Sequence, residues 1–265
     1  MAQHPSKGRK YLIMTHTTDQ AESSTSSTTK PTKSNVDPSE IAKFEALAHR
    51  WWDKSSEFKP LHEINPLRAN FIDRLSPVAE KKVIDIGCGG GILSEALTQR
   101  GAKVTGIDMG AAPLGVAELH ALENNLSIEY KKITAEEIAA ERPGQYDVVT
   151  CLEMLEHVPD PAAIVQACAD LCKPGGHIYF ATINRNPKSY LFAILGAEHI
   201  LGLLPKGTHD YEKLIKPSEL HRWMRESNLL LNDSTGMTYN PFSKRYKLNP
   251  NNLDVNYLLH GTKPA

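Results

Sequence analysis

The chain is poor in cysteine, carries no surplus of charge of one sign, and contains no long apolar run. Its four cysteines, Cys88, Cys151, Cys168 and Cys172, form no C-x-x-C pair. Cys168 and Cys172 stand one helical turn apart, which fits buried free thiols better than a metal site or a disulfide. The setting expected is therefore a reducing one, the cytoplasm or an equivalent matrix. Lys and Arg (30) nearly balance Asp and Glu (31), for a formal net charge of −1. No global field draws such a chain to nucleic acid. No apolar stretch is long enough to span a bilayer. Tyr11-Leu12-Ile13-Met14 is too short for the apolar segment of a signal peptide. No internal repeat is found. What is there is a chain of 265 residues, enough for one good core with an added lobe.

Residues 1 to about 35 are low in complexity. The run Ser23-Ser24-Thr25-Ser26-Ser27-Thr28-Thr29 buries too little apolar area to offset its ordering entropy, so this tail is expected to be disordered. Order is expected from Asp37, a candidate N-cap, with Pro38 at the first helical position and Glu40 at capping-box spacing. Ile41, Phe44, Leu47, Ala48, Trp51 and Trp52 follow at helical spacing, which reads as core packing. Phe58 to Arg68 reads as a linker into a second helix ending near Leu75, so that 36–80 forms a helical lid on the domain 36–265.

From Lys82 strand and helix alternate. Strands read at 82–86, 103–107, 127–132, 146–151 and 177–182, with helices at about 91–100, 112–124, 134–140 and 161–171. Lys173-Pro174-Gly175-Gly176 is a turn before the fifth strand. Residues 184–216 interrupt the alternation. A helix at 217–227 and strand-like runs at 229–239 and 254–262 then complete seven strands. The expected architecture is α/β, a doubly wound, mostly parallel, Rossmann-like sheet with helices on both faces.

Chemistry concentrates in three places. The first is Val83-Ile84-Asp85-Ile86-Gly87-Cys88-Gly89-Gly90-Gly91, followed by a helix, a second strand and Asp108. This is the frame of an adenosine-containing cofactor: glycines admit a ligand close to the backbone, a helix start offers N–H groups, and the late acid accepts from ribose hydroxyls. A dinucleotide fingerprint, G-x-G-x-x-G, would need glycine where Ile92 stands. A pyrophosphate beside Asp85 would also meet a like charge. S-adenosylmethionine, with an ammonium and a sulfonium, suits Asp85 better.

The second place is Cys151-Leu152-Glu153-Met154-Leu155-Glu156-His157-Val158-Pro159, at the carboxyl end of the fourth strand. If this segment turns helically, Glu153, Glu156 and His157 share a face. They could hold a divalent cation, His157 could be a general base, or the segment could be a solvated helix start. The third place is 184–210. Tyr190 to Ala197 and Ile200 to Leu204 are apolar, and Arg185, Lys188 and Lys206 flank them. Spacing alone leaves open a membrane-surface insert, a cover for an apolar substrate, or a buried helix pair.

These residues resemble those of class I S-adenosylmethionine-dependent methyltransferases. More closely they resemble the ubiquinone biosynthesis O-methyltransferase family. The resemblance covers about residue 36 to the end. Beyond the glycine loop it rests on Glu40-Ile41-Ala42-Lys43-Phe44-Glu45, Arg50-Trp51-Trp52-Asp53, Phe58-Lys59-Pro60-Leu61-His62 and Ile64-Asn65-Pro66-Leu67-Arg68. It rests also on Gly106-Ile107-Asp108-Met109-Gly110, Glu153 to Pro161, Pro205-Lys206-Gly207-Thr208-His209-Asp210 and Asp254-Val255-Asn256-Tyr257.

The resemblance implies methylation of a phenolic hydroxyl on a polyprenylated ring, at 2-polyprenyl-6-hydroxyphenol and at demethylubiquinol. By position it implies that Arg68, Gly87, Asp108 and Leu152 contact S-adenosylmethionine, Arg68 at its carboxylate and Leu152 beside its adenine. Asp85 and Gly89 complete the expected cofactor set. It also implies a magnesium-like ion on Glu153, Glu156 and His157, the same three residues being the catalytic candidates. The 185–206 insert then becomes a peripheral contact with lipid of the inner membrane. Other quinone biosynthesis proteins are candidate partners; nucleic acid is not. An NAD-linked oxidoreductase and a non-catalytic component of a membrane complex are the rival readings.

Overall fold

The computed structural model describes residues 1, 2, 35–190 and 211–265. The expectations for the tail and for most of the 185–206 insert lie outside the described residues. Eight strands form one sheet: β1 Lys82–Ile86, β2 Lys103–Asp108, β3 Glu129–Lys132, β4 Tyr146–Leu152, β5 Cys172–Ile183, β6 Leu230–Asn240, β7 Arg245–Asn249 and β8 Asn256–Thr262. Their order is β3-β2-β1-β4-β5-β8-β6-β7. The first five are parallel, and β8, β6 and β7 join by antiparallel pairing. The α/β, mostly parallel, Rossmann-like expectation holds. Seven strands become eight, because Arg245–Asn249 adds an edge strand. That segment alternates exposed Arg245 and Lys247 with half-buried Tyr246 and Leu248, a mostly polar run that conceals an edge strand from a search for apolar stretches.

Strand residues alternate between two cores. Ile84, Val149, Ile178 and Phe180 enter one. Val83, Val104, Val148, Tyr179 and Ala181 enter the other. Helix α1 is Pro38–Leu47 and α2 is Lys59–Leu75. They are followed by α3 Ile92–Thr98, α4 Ala111–Glu123, α5 Ala135–Glu141 and α6 Pro161–Leu171, and the last helix is Pro217–Glu226. Asp37 caps α1 as expected, accepting from Ser39 N.

The supposed linker is different. Helix begins at Lys59 and runs through Pro66. Proline there removes only the N–H that would bond the His62 carbonyl, while burial of Ile64, Phe71 and Ile72 holds the helix together. The Lys173–Gly176 turn is also absorbed: Tyr146 pairs with Cys172 and Val148 with His177, so the intervening residues bulge out of β5. All four cysteines are buried and free. The chain order reverses between β1 and β4, and the crevice beyond their carboxyl ends is where open α/β sheets hold ligands.

Candidate active site

The first wall of the crevice is the glycine loop. Gly87 N and Cys88 N both donate to the Ile107 carbonyl at 2.9 Å, tying the loop to β2. Gly89 lies at φ +52°, a left-handed conformation that disfavours any side chain. Asp108 spans the turn, accepting from Gly89 N at 2.9 Å and Gly110 N at 2.7 Å. A carboxylate retains further lone pairs after two such bonds, so it can still take ribose hydroxyls. Burial raises its pKa against those backbone bonds. Asp85 is buried beneath the loop, accepting from Ser94 Oγ at 2.7 Å and Thr150 Oγ1 at 2.8 Å. Burial pushes its carboxyl up to about 6, with the two hydroxyls opposing. Leu152 is buried at the end of β4.

The second wall is the segment after α1. The Trp51 ring lies on the loop, where a Cβ at Gly89 or Gly90 would collide with it. It stacks on Phe58, with ring centroids 4.1 Å apart. Trp52 Nε1 donates to the Gly90 carbonyl at 2.9 Å, and its ring lies flat on His120 at 3.5 Å. The aromatic stripe is packing, as its spacing indicates, but what it packs on is the glycine loop.

The third wall follows β4. Glu153 stands at φ +54° and only Leu155–His157 turns, as a 3₁₀ helix. The shared helical face expected for Glu153, Glu156 and His157 therefore does not form. Glu153 Oε1 accepts from Arg68 of α2 and from Asn256 Nδ2 of β8, the latter at 2.9 Å. Glu156 Oε2 accepts from Thr182 Oγ1 at 2.7 Å. Burial and then the Glu153 charge push the Glu156 carboxyl up to about 7. His157 Nδ1 lies 3.0 Å from Glu40 Oε2 of α1, and the Phe44 ring meets its edge at 5.1 Å. Burial works against the imidazolium, but Glu40, then Glu156 and Glu153, outweigh it and raise the pKa.

The expected metal triad is thus not assembled. Its members turn to Arg68 and Asn256, to Thr182 and to Glu40. Among the described residues no group of three His, Cys, Asp or Glu is arranged to hold an ion. The residues as placed do not fit a divalent cation. They do fit a polar organic ligand: Arg68 Nε, Glu156 Oε1 and Asn256 Oδ1 are buried with hydrogen-bonding capacity unused. A groove of about 620 Å3 elsewhere, lined by Lys82, Lys103, Glu129 and Arg142, opens at the amino ends of the strands, away from this chemistry.

Glu40, Asn256 and Thr182 escaped the sequence reading as site residues. Glu40 and Asn256 belong to segments that carry the family resemblance, yet no local pattern links them to His157 and Glu153. They lie 117 and 103 positions from those partners.

A methyltransferase-domain family model matches residues 61–232. The ubiquinone biosynthesis O-methyltransferase of Stutzerimonas stutzeri is 67% identical over 232 residues, which is 88% of this chain and all of that one. The protein of the same name from Saccharophagus degradans is 66% identical over 229 residues, 86% of this chain and 97% of that one. Among solved structures, a magnesium protoporphyrin IX methyltransferase from Synechocystis with bound S-adenosylmethionine aligns with a TM-score of 0.58. It is 17% identical, covering 88% of this chain and 100% of that one, a likeness of fold.

Proposed function

The chain belongs to the ubiquinone biosynthesis O-methyltransferase family, and from that premise we propose that it methylates phenolic hydroxyls of polyprenylated ubiquinone precursors with S-adenosylmethionine. Both O-methylations, of 2-polyprenyl-6-hydroxyphenol and of demethylubiquinol, fall to the one site. The observation that carries the reading is the convergence at one sheet edge of a glycine loop, a ribose-ready Asp108, buried Arg68 and Glu156, and half-buried Glu153 and Asn256.

S-adenosylmethionine supplies a methyl group on a sulfonium, open to in-line displacement. Arg68 pairs with its carboxylate through a planar, fixed fork of donors. Asp108 takes the ribose, and Asp85 contributes a negative charge below the loop. Asn256 and Glu153 hold the acceptor ring. Alignment of this kind supplies about 7–11 kcal/mol in favourable cases. A free phenol has a pKa of about 10, so its proton must be removed. His157 is the base that would take it, with Glu40 at Nδ1 setting the orientation of the ring. Lipid contact through 185–206 would keep the site near the bilayer that holds the polyprenyl tail.

The test is turnover on both acceptors with the wild type and with His157→Ala. The wild type should methylate both, and the variant should lose about 10²-fold or more. A wild type that binds S-adenosylmethionine yet methylates neither acceptor would refute the proposal. Chelation that abolishes turnover, with rescue by magnesium, would mean that Glu153 leaves Arg68 in the working enzyme.

A further inference from the structure

The β6–β7 hairpin ends in a turn, 241–244, that no part of the catalytic reading uses. At its tip Phe242 is 97% exposed, beside exposed Tyr239. Asn240 Oδ1 accepts from Phe242 N at 2.9 Å and Ser243 N at 3.1 Å, which fixes the turn so that the ring is held outward. Below the tip the hairpin is anchored, with Tyr246 and Leu248 packed against the core under α2. The tip is basic as well as aromatic. Between Asp233 and Asp254 the chain has no acid, and its only charges are Lys244, Arg245 and Lys247. All three are exposed, and none forms an ion pair among the described residues.

Sheet register shows which way this tip points. Asn256 of the candidate site pairs with Ile183 at the carboxyl end of β5 and with Met237 of β6. Strand β6 runs in the same sense as β5 and continues three residues past Met237 to Asn240. At about 3.4 Å per residue it carries the turn about 10 Å beyond the row of Asn256. The hairpin therefore projects from the same sheet edge as the candidate site, where the chain also leaves β5 after Ile183.

We propose that the β6–β7 hairpin tip is a membrane anchor, with Phe242 entering the interface of a bilayer whose anionic headgroups meet Lys244, Arg245 and Lys247. The choice of a bilayer over another anionic surface rests on the polyprenylated acceptor proposed above. An aromatic wedge ringed by cations is the chemistry that such an interface recognises. With the tip docked, the crevice faces the layer that holds the acceptor's tail.

The test is flotation of the full chain with vesicles of phosphatidylcholine alone or mixed with phosphatidylglycerol, for wild type, Phe242→Ser and the triple variant Lys244→Ser, Arg245→Ser, Lys247→Ser. Phe242→Ser should lower partitioning about tenfold on both vesicles. The triple variant should lose about fivefold per cation removed, on anionic vesicles only. Melting temperature and turnover of a tail-free, water-soluble catechol should not move. Wild-type partitioning in both variants would overturn the anchor. So would a wild-type dimer that both variants lose, since β7 would then be an edge that pairs with a second copy. A wild type inactive on the catechol would instead count against the proposed reaction, while flotation still decides the anchor.

Discussion

Replacing Asp85 by asparagine should stabilise the cofactor-free protein at neutral pH and weaken its binding of S-adenosylmethionine. Asp85 is buried, with both oxygens engaged by hydroxyls. Asparagine preserves that geometry. Its oxygen accepts from Ser94 Oγ, and its NH2 donates to Thr150 Oγ1, whose own proton turns to the Ile84 carbonyl 3.3 Å away. What changes is charge. In the unfolded chain the carboxyl releases its proton near 3.8, and in the folded protein at about 6. Between those values the folded state holds the extra proton, so stability falls as pH rises through the window and the full penalty stands above it. At about 1.4 kcal/mol per pH unit the penalty is about 3 kcal/mol. For a domain of this size that is about 6–10 °C in melting temperature.

Differential scanning fluorimetry from pH 4 to pH 8 would read it. The Asp85→Asn advantage should be small at pH 4 and largest above pH 6. Added S-adenosylmethionine should stabilise the wild type more than the variant, because its cationic groups favour the ionised carboxylate. A variant less stable than wild type at neutral pH, or a difference flat with pH, would refute the reasoning.

Gly89→Ala forces a Cβ into a left-handed residue and into the Trp51 ring. It should lower stability by about 2 kcal/mol or more and shift tryptophan emission to the red; an unchanged urea midpoint would contradict this. Glu40→Gln removes the charge that holds the His157 pKa up. The acid limb of the kcat/KM profile should move to lower pH as kcat falls, and an unmoved limb would remove His157 from the base role. Arg68→Lys replaces a fork by a point charge, so titration calorimetry should show S-adenosylmethionine binding weakened about 10–100-fold. Affinity equal to wild type would take Arg68 out of the cofactor site.

Much of the scaffold was legible because its signals are local. The strands β1 and β4 are buried along most of their length and so carry the apolar runs Val83-Ile84 and Val148-Val149, with Asp85 and Thr150 as a buried polar pair between them. Asp37 announces its helix by capping it within two residues. Asp108 could be placed because it ends a strand next to the loop it serves. The segment after β4 misled for an equally physical reason. Its acids and histidine stand at helical spacing, but Glu153 takes a left-handed backbone under contacts from α2 and β8 that no local pattern contains. Pro66 and Arg245–Asn249 misled in the same way, since tertiary packing rather than local preference made one a helix interior and the other an edge strand.

The sequence alone determined the alternation of strand and helix from Lys82 to the fifth strand, the glycine loop with its two acids, the methyl donor they suit and the family. Each depends on residues close in the chain or on motifs readable as text. Only the tertiary structure decided what surrounds the chemistry: Trp51 on the loop, Glu40 against His157, Asn256 and Arg68 on Glu153, and the hairpin projecting from the same edge. Those pairings join residues about forty to about one hundred and twenty positions apart, and only the packing of a complete sheet with its helices brings them together.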